Sequence, residues 1–271
     1  MKKTFGKIKD VVGDYILYTF FQSFNRKVRT QRKFPLTIPV LIVNYNQLAN
    51  LKNLISFLFE RKFQNIVIVD NKSTYPPLLE YYKSLNGRVT VEYMPDNYGH
   101  MVFFENKQLQ EKYGQGYYIL TDPDILPNPN LPENFMSVML KIMDRYHFHI
   151  QKVGFALDIE SIPDYFPLKQ KVLSWERQYW TKEIAKDVYH ADIDTTFALY
   201  KPRYPAAFNS KRRRFYEALR LGGSFTSKHM GWYLNPENLS NEQRYYRLTA
   251  SKSASWKFDE EGNLEDSSSV Y

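Results

Sequence analysis

The run Tyr117-Tyr118-Ile119-Leu120-Thr121 ends in Asp122-Pro123-Asp124, so a segment of strand composition delivers two carboxylates separated by one residue. Where a buried strand emerges, such a pair presents hard oxygen ligands to a divalent cation, Mg²⁺ or Mn²⁺, and the cation in turn can hold a diphosphate. The same tripeptide also suits a plain turn, because Asp and Pro are favoured there and Pro127 and Pro129 follow closely. The elements upstream decide how much weight the pair carries.

Residues 39–43, Pro-Val-Leu-Ile-Val, read as a buried strand, and Leu48, Leu51, Leu54, Ile55 and Leu58 then recur at helical spacing up to Arg61. Residues 64–70 contain Ile66-Val67-Ile68-Val69, a second continuous apolar run, which completes a strand–helix–strand unit. Pro76-Pro77 suits the first turn of a further helix that carries Leu78, Leu79, Tyr82 and Leu85 and stops at Asn86-Gly87. A third strand is predicted over 89–94, a third helix over 101–113 and a fourth strand over 117–121. Apolar strands without polar alternation, each separated by a helix, imply an α/β fold with a mostly parallel sheet covered on both faces. Ligands of such sheets bind at the carboxyl ends of the strands. That register places Asn44, Asp70, Asp96-Asn97 and Asp122/Asp124 along one edge.

On these residues the chain resembles the nucleotide-binding half of a family 2-like glycosyltransferase of the GT-A fold. The resemblance is carried by Leu41-Ile42-Val43-Asn44-Tyr45-Asn46, Ile68-Val69-Asp70-Asn71-Lys72-Ser73, Asn97-Tyr98-Gly99-His100 and Leu120-Thr121-Asp122-Pro123-Asp124, and covers residues 38–130 best. It implies that Asn44 and Tyr45 line the base pocket, with Asn97 also on the nucleotide, and that Asp70 accepts hydrogen bonds from base or ribose. It implies further that Asp122 faces the ribose or a metal-bound water, and that Asp124 binds the metal bridging the phosphates. A strand-end carboxylate can also accept from a uracil N–H, which favours UDP. Asn44 and Asp70 have helix N-caps as their ordinary alternative.

Composition bounds the remainder. With 271 residues the chain can bury a full core in one large α/β domain. The absence of cysteine removes disulfides, thiolate catalysis and zinc–thiolate sites. Neither GxGxxG nor GxxxxGK[ST] occurs, which takes support from dinucleotide oxidoreductases and P-loop enzymes. No secretory signal with a small-residue cleavage site is visible, so a cytoplasmic location is expected.

The net charge of +8 is concentrated in segments: residues 1–33 carry +7, residues 210–228 carry +5 and residues 257–271 carry −4. A nucleic-acid binder more often spreads basic residues over its folded face, and no such partner is expected. Between the basic clusters of the N-terminal segment, residues 11–24 form an aromatic-rich apolar run. As a helix it would be about 21 Å long, too short to span the bilayer's hydrocarbon core, and it contains Asp14. It suits either an anionic membrane interface, on the inner face of the cytoplasmic membrane, or a helix packed on the domain or an oligomer partner. The expected organisation is a basic amphipathic segment over 1–34, a catalytic domain over 35–256 whose donor half is 38–130 and acceptor half 131–256, and an acidic tail over 257–271.

The second half must supply the acceptor site. Residues 153–158 read as a strand ending in Asp158, and Asp192 and Asp194 stand just before an apolar run reaching Tyr200. An inverting transfer needs a base that takes the acceptor hydroxyl proton; Asp194 is the first candidate, Asp192 the second and Asp158 the third, with N-caps or ion pairs as the competing roles. The family's usual Glu-Asp acceptor motif is not recognisable; in its place stands Leu221-Gly222-Gly223-Ser224-Phe225-Thr226-Ser227-Lys228-His229-Met230-Gly231-Trp232-Tyr233. The resemblance implies that His229, on a mobile segment after a Gly-Gly turn, completes the metal shell and that Lys228 meets the diphosphate. Trp175, Trp232 and Tyr233 are candidates for stacking on an acceptor sugar or for the core. Lys211-Arg212-Arg213-Arg214 opens a predicted helix to Leu221 that suits a solvated face or the phosphate of a lipid-linked acceptor.

The resemblance thus implies a metal-dependent, inverting transferase acting from a UDP-sugar onto a saccharide or lipid-linked saccharide, as in bacterial surface polysaccharide or lipopolysaccharide assembly. The alternative is a catalytically silent membrane-associated assembly protein of the same fold. A metal-dependent phosphohydrolase would need a denser carboxylate and histidine cluster.

Overall fold

The computed structural model describes residues 16, 19–20, 23–85, 87–193, 196–202 and 217–250. Helix α1 (Arg26–Lys33) precedes strand β1 (Val40–Asn44), and helix α2 (Ala49–Glu60) leads to β2 (Ile66–Asp70). Helix α3 (Pro76–Ser84), strand β3 (Thr90–Tyr93), short helices α4 (Val102–Glu105) and α5 (Lys107–Tyr113) and strand β4 (Tyr118–Thr121) complete the first half. The single helix expected over 101–113 is broken at Asn106, which is extended (φ −97°, ψ 104°) and accepts the Leu109 N–H at its side chain as the cap of α5.

β1 pairs in parallel with β2 and with β4, and β2 with β3, giving the order β3-β2-β1-β4. All five residues of β1 and of β2 are buried, which is why these strands read as unbroken apolar runs. Successive side chains of β1 face opposite layers. Val40 and Ile42 join Leu51, Leu54, Ile55, Leu58, Leu78 and Phe135 on one face; Leu41 and Val43 join Val102, Phe103 and Leu109 on the other. The chain winds from β1 out to β3 and returns to β4 on the far side of β1. The reversal point between β1 and β4, where a ligand crevice opens, thus lies between Asn44 and Asp122.

The second half continues the same sheet. β5 (Ile125–Pro127), helix α6 (Phe135–Arg145), β6 (Lys152–Leu157), helix α7 (Lys169–Glu176), the hairpin β7 (Glu183–Ala185) and β8 (Val188–His190), β9 (Ala198–Tyr200), β10 (Ala218–His229) and helix α8 (Asn241–Thr249) follow. β9 runs antiparallel between β4 and β6, β10 lies parallel to β6, and β8 antiparallel to β10. The predicted helix running to Leu221 is overturned from Ala218 onward. That stretch is an interior strand, with Ala218, Leu219 and Leu221 at most 1% exposed, and the Gly222-Gly223 pair sits in a register shift between Leu221 and Thr226 rather than in a turn.

Helix α1 is docked on the body at the amino edge of the sheet. Gln31 exchanges hydrogen bonds with the backbone of Tyr117, Arg32 makes a two-pronged contact with Asp144, and Val28 is buried. Most of the apolar run at 11–24, the Lys211–Arg214 cluster and the acidic tail lie outside the described residues. No described helix is long and apolar enough to cross a membrane.

Candidate active site

Asp122 and Asp124 leave the carboxyl end of β4, as their place after an apolar run predicts, with Asp122 half-buried and Asp124 8% exposed. Immediately after Asp124 the chain enters β5, whose Ile125 and Leu126 pair antiparallel with His229 and Lys228 at the end of β10. The Met230 N–H donates to the Asp124 carbonyl at 2.8 Å and closes the ladder. Two segments far apart in sequence are thereby fixed so that His229 Nε2 stands 3.8 Å from Asp124 Oδ2. The imidazole stacks on the Trp232 indole, ring centroids 5.1 Å apart, and its Nδ1 is buried without a hydrogen-bond partner.

A gap of 3.8 Å is too long for a hydrogen bond. It is within the span of two ligands each about 2.0–2.2 Å from one divalent ion. Among the described residues no three His, Cys, Asp or Glu side chains converge as a metal cage. Mg²⁺ and Mn²⁺ do not demand one, since they commonly take one or two protein carboxylates and complete their shell with water and phosphate oxygens. Asp124 and His229 therefore fit such an ion, with Asp122 on the same turn.

The base and ribose candidates stand differently. Asn44 and Asp70 are 0% and 1% exposed. The Asn44 amide donates to the Tyr82 hydroxyl at 2.8 Å, and that hydroxyl donates to Asp70 Oδ1 at 2.7 Å; Asp70 Oδ2 accepts the Ser73 N–H at 2.9 Å. These two strand ends thus form a buried polar floor that ties β1, β2 and α3 together, with Asn44 Oδ1 left without a hydrogen-bond partner. Burial, and then the Asp70 charge, push the Tyr82 phenol far above its ordinary pKa, so it remains a donor. Asn97 is half-buried and its side chain accepts the Gly99 N–H, closing a local turn.

The residue that sequence reasoning passed over is Asn46. It is fully buried with φ 50°, a left-handed conformation that Asn tolerates better than most side chains. Its Oδ1 accepts the N–H groups of Thr74 and Tyr75, its own N–H donates to Ser73 Oγ, and its Nδ2 donates to Thr249 Oγ1. The β1 and β2 loops and helix α8 are joined there. Tyr45 donates its hydroxyl to the Thr249 carbonyl at 2.9 Å and meets Tyr246 edge-on, so this wall of the expected base pocket is covered by α8. Burial comes first, then the Asp124 and Asp122 charges, in pushing the Tyr246 phenol well above its usual pKa, so that the hydroxyl stays neutral.

Of the three base candidates, Asp194 lies outside the described residues. Asp192 is at the wrong edge of the sheet. It follows β8, which runs antiparallel to β10, so the chain leaves His190 beside Leu219 at the start of β10. From there to His229 is roughly 20 Å, counted along β6 from Val153, the partner of Leu219, past Leu157, the partner of Ser227, at about 3.3 Å per residue. Burial raises the Asp192 pKa, against the pull of Lys152, Arg220 and His190. Asp158 does reach the carboxyl edge. Its N–H donates to the Ser227 carbonyl, and its carboxylate accepts the Glu160 and Ser161 N–H groups and the Ser161 hydroxyl, which also contacts the Tyr233 hydroxyl at 2.7 Å.

The aromatic candidates divide in the same way. Trp232, at 2% exposed and stacked on His229, backs the imidazole instead of offering a face to a sugar. Tyr233 is half-buried at the Asp158 edge, with the Lys228 ammonium 5.2 Å from its ring centre. Trp175 packs edge-on to Tyr179, which in turn lies under the Arg220 guanidinium; Arg220 donates to the Asp192 carbonyl, so Trp175 belongs to the amino side and not to the acceptor wall.

No protein-family model matches the sequence, and no curated protein matches it. Among solved structures, the chain is similar to the mannosyltransferase PcManGT from Pyrobaculum calidifontis, in complex with GDP-Man and Mn²⁺, with 12% identity and a TM-score of 0.42 over 90% of this chain and 70% of that one. It is also similar to residues 1–349 of S. aureus TarS, with 11% identity and a TM-score of 0.41 over 78% of this chain and 68% of that one.

Proposed function

We propose that this chain is a glycosyltransferase that moves a sugar from a nucleoside diphosphate, UDP in the first instance, onto a saccharide or lipid-linked saccharide of the kind assembled into bacterial surface polysaccharide or lipopolysaccharide. The observation that carries the proposal is the Asp124–His229 pair, 3.8 Å apart and locked by the β5–β10 ladder beside the reversal point of a parallel sheet. Residues 38–130 form the donor half and residues 131–256 the acceptor half. Asp124 and His229, with Asp122 beside them, hold Mn²⁺ or Mg²⁺, which when bound offsets the negative charge of the departing diphosphate. Lys228 adds positive charge at the same strand end, and Tyr45 and Asn97 border the nucleoside above the buried Asn44–Tyr82–Asp70 floor. On the acceptor side, Asp158 takes the proton of the attacking hydroxyl, which suits a single inverting displacement. Tyr233 stands next to it through Ser161.

The chain works at an anionic membrane surface, where lipid-linked acceptors reside. Ile16, Phe20 and Phe24 are 60%, 52% and 74% exposed and recur at the spacing of one helix face, ahead of the basic residues of α1. Binding to anionic vesicles should therefore weaken as salt is raised.

The test is calorimetric titration of UDP, GDP and their sugar conjugates with and without Mn²⁺, on the wild type and on Asp124→Ala. Metal-dependent nucleotide binding that Asp124→Ala abolishes in a folded protein is the expected result. A chain that binds no nucleotide at any metal concentration is instead the catalytically silent assembly partner.

A further inference from the structure

We propose that helix α8 is a latched closing segment over the carboxyl ends of β1 and β2, with Glu242 as its latch. That the closed edge is a donor site rests on the glycosyltransferase reading; the latch itself does not.

The latch is a carboxylate on a helix N-terminus from a distant part of the chain. Helix α2 begins without a capping side chain of its own, its N-cap position being Leu48, and it has no acidic residue in its first turn. Its free N–H groups are met from outside: Leu48 N–H donates to Glu242 Oε1 at 2.7 Å, and Ala49 N–H to Oε1 at 3.0 Å and Oε2 at 3.1 Å. A carboxylate placed there gains from both the hydrogen bonds and the helix dipole.

The rest of α8 is held in the same manner. Tyr245 donates to Thr74 Oγ1 at 2.9 Å and packs on Tyr75, while Thr249 receives Tyr45 and Asn46 at the far end. These partners are the loops leaving β1 and β2, so α8 lies across the carboxyl ends of both strands. Its residues are exposed or only partly buried, although it is a complete helix with a Ser240–Gln243 capping box. An element held by hydrogen bonds and ring edges, and not by buried apolar side chains, opens more easily than the sheet beneath it. Detached from the body, a helix of 9 residues is marginal in water and frays, so opening exposes its amides.

Tyr246 meets Tyr45 edge-on and so joins α8 to the loop that leaves β1. A ligand reaching the carboxyl end of β1 from above must pass α8, and the segment then closes over it.

The experiment is hydrogen exchange on the full chain, wild type against Glu242→Ala and Glu242→Gln, without nucleotide. Glu242→Ala should raise exchange at the Leu48 and Ala49 amides and through residues 241–249 by about 10-fold or more, with Glu242→Gln between the two and the amides of β1 and β4 unchanged. In a second arm, UDP with Mn²⁺ should slow exchange over 241–249. If α8 exchanges as slowly as β1 and the Glu242 variants change nothing, the helix is a fixed wall and the latch is refuted. If the Glu242 variants loosen α8 but no nucleotide binds to any variant, the latch stands and the glycosyltransferase reading falls.

Discussion

Gly231 offers the sharpest probe of the proposed Asp124–His229 metal pair, because a methyl group there strikes the imidazole without altering its chemistry. A Cβ at this position would lie 2.8 Å from His229 Cε1, 2.9 Å from Nδ1 and 3.5 Å from Asp124 Oδ2. Ordinary contacts between such atoms begin near 3.5 Å, so the imidazole of Gly231→Ala must withdraw by roughly 0.6–0.7 Å. Trp232 stacks against the ring and limits where it can go. The residue yields at the end of a side chain, and Gly231 is not in the left-handed region, so the fold should survive. Disturbing a ligand's support costs about 10–100-fold in metal affinity, or about 1.4–2.7 kcal/mol. The assay is calorimetric titration of Mn²⁺ in the presence of UDP, beside a thermal melt. His229→Ala should lose at least as much. Wild-type affinity in both folded variants would show that Asp124 and His229 do not share an ion.

Asp158→Asn should lower transfer by roughly 10²–10⁴ with donor affinity nearly constant, whereas Asp192→Asn should leave the rate unchanged; steady-state kinetics with a short soluble acceptor decides, and the reverse pattern would return the base to the Asp192 side. Glu176→Gln strands the Arg220 guanidinium, 1% exposed and paired to Glu176 at 2.6 Å, and should cost about 3–5 kcal/mol in urea unfolding, while a loss near zero would mean that the pair relaxes to water. Burial first, then Lys201 and Arg32, depress the His147 pKa to about 3, so the folded chain keeps this ring neutral while the unfolded chain protonates it near pH 6.5. Its share of stability is therefore intact above about pH 6.5 and drains as pH falls towards about 3, at close to 1.4 kcal/mol per pH unit; His147→Gln should flatten that slope in melts across the range, and an unchanged slope would refute the assignment.

The parallel half was legible because each strand is buried on both faces, and runs such as Ile66-Val67-Ile68-Val69 have no other ready explanation. The strand ends were legible for the same reason, and Asp122 and Asp124 stand where the register predicts. What a strand end faces was not. Asp70 is turned to the floor by Tyr82, a helix residue that reads as ordinary core, and no pattern announces that its hydroxyl reaches two strand ends. The second half failed for two further reasons. Gly222-Gly223 resembles a turn but is a bulge inside a long strand, and only the partners β6 and β8 reveal it. The direction of β8 decides to which edge Asp192 is carried, and strand direction leaves no trace in local composition. Helix α8 did leave one, the Ser240 and Gln243 of a capping box, though nothing local says that it lies across the β1 and β2 loops.

The β5–β10 ladder has a consequence for how the molecule comes into being. Ile125 and His229 meet through a pairing of high sequence separation, the slowest kind of contact to form because loop-closure entropy must be overcome first. During synthesis the parallel half can pack before β10 has left the ribosome, and a chain stopped short of residue 229 would own the aspartates without the histidine that faces them. Competence to bind Mn²⁺ should therefore arise as a late kinetic phase in refolding, after sheet formation, and should disappear first when the chain is cut between the two halves.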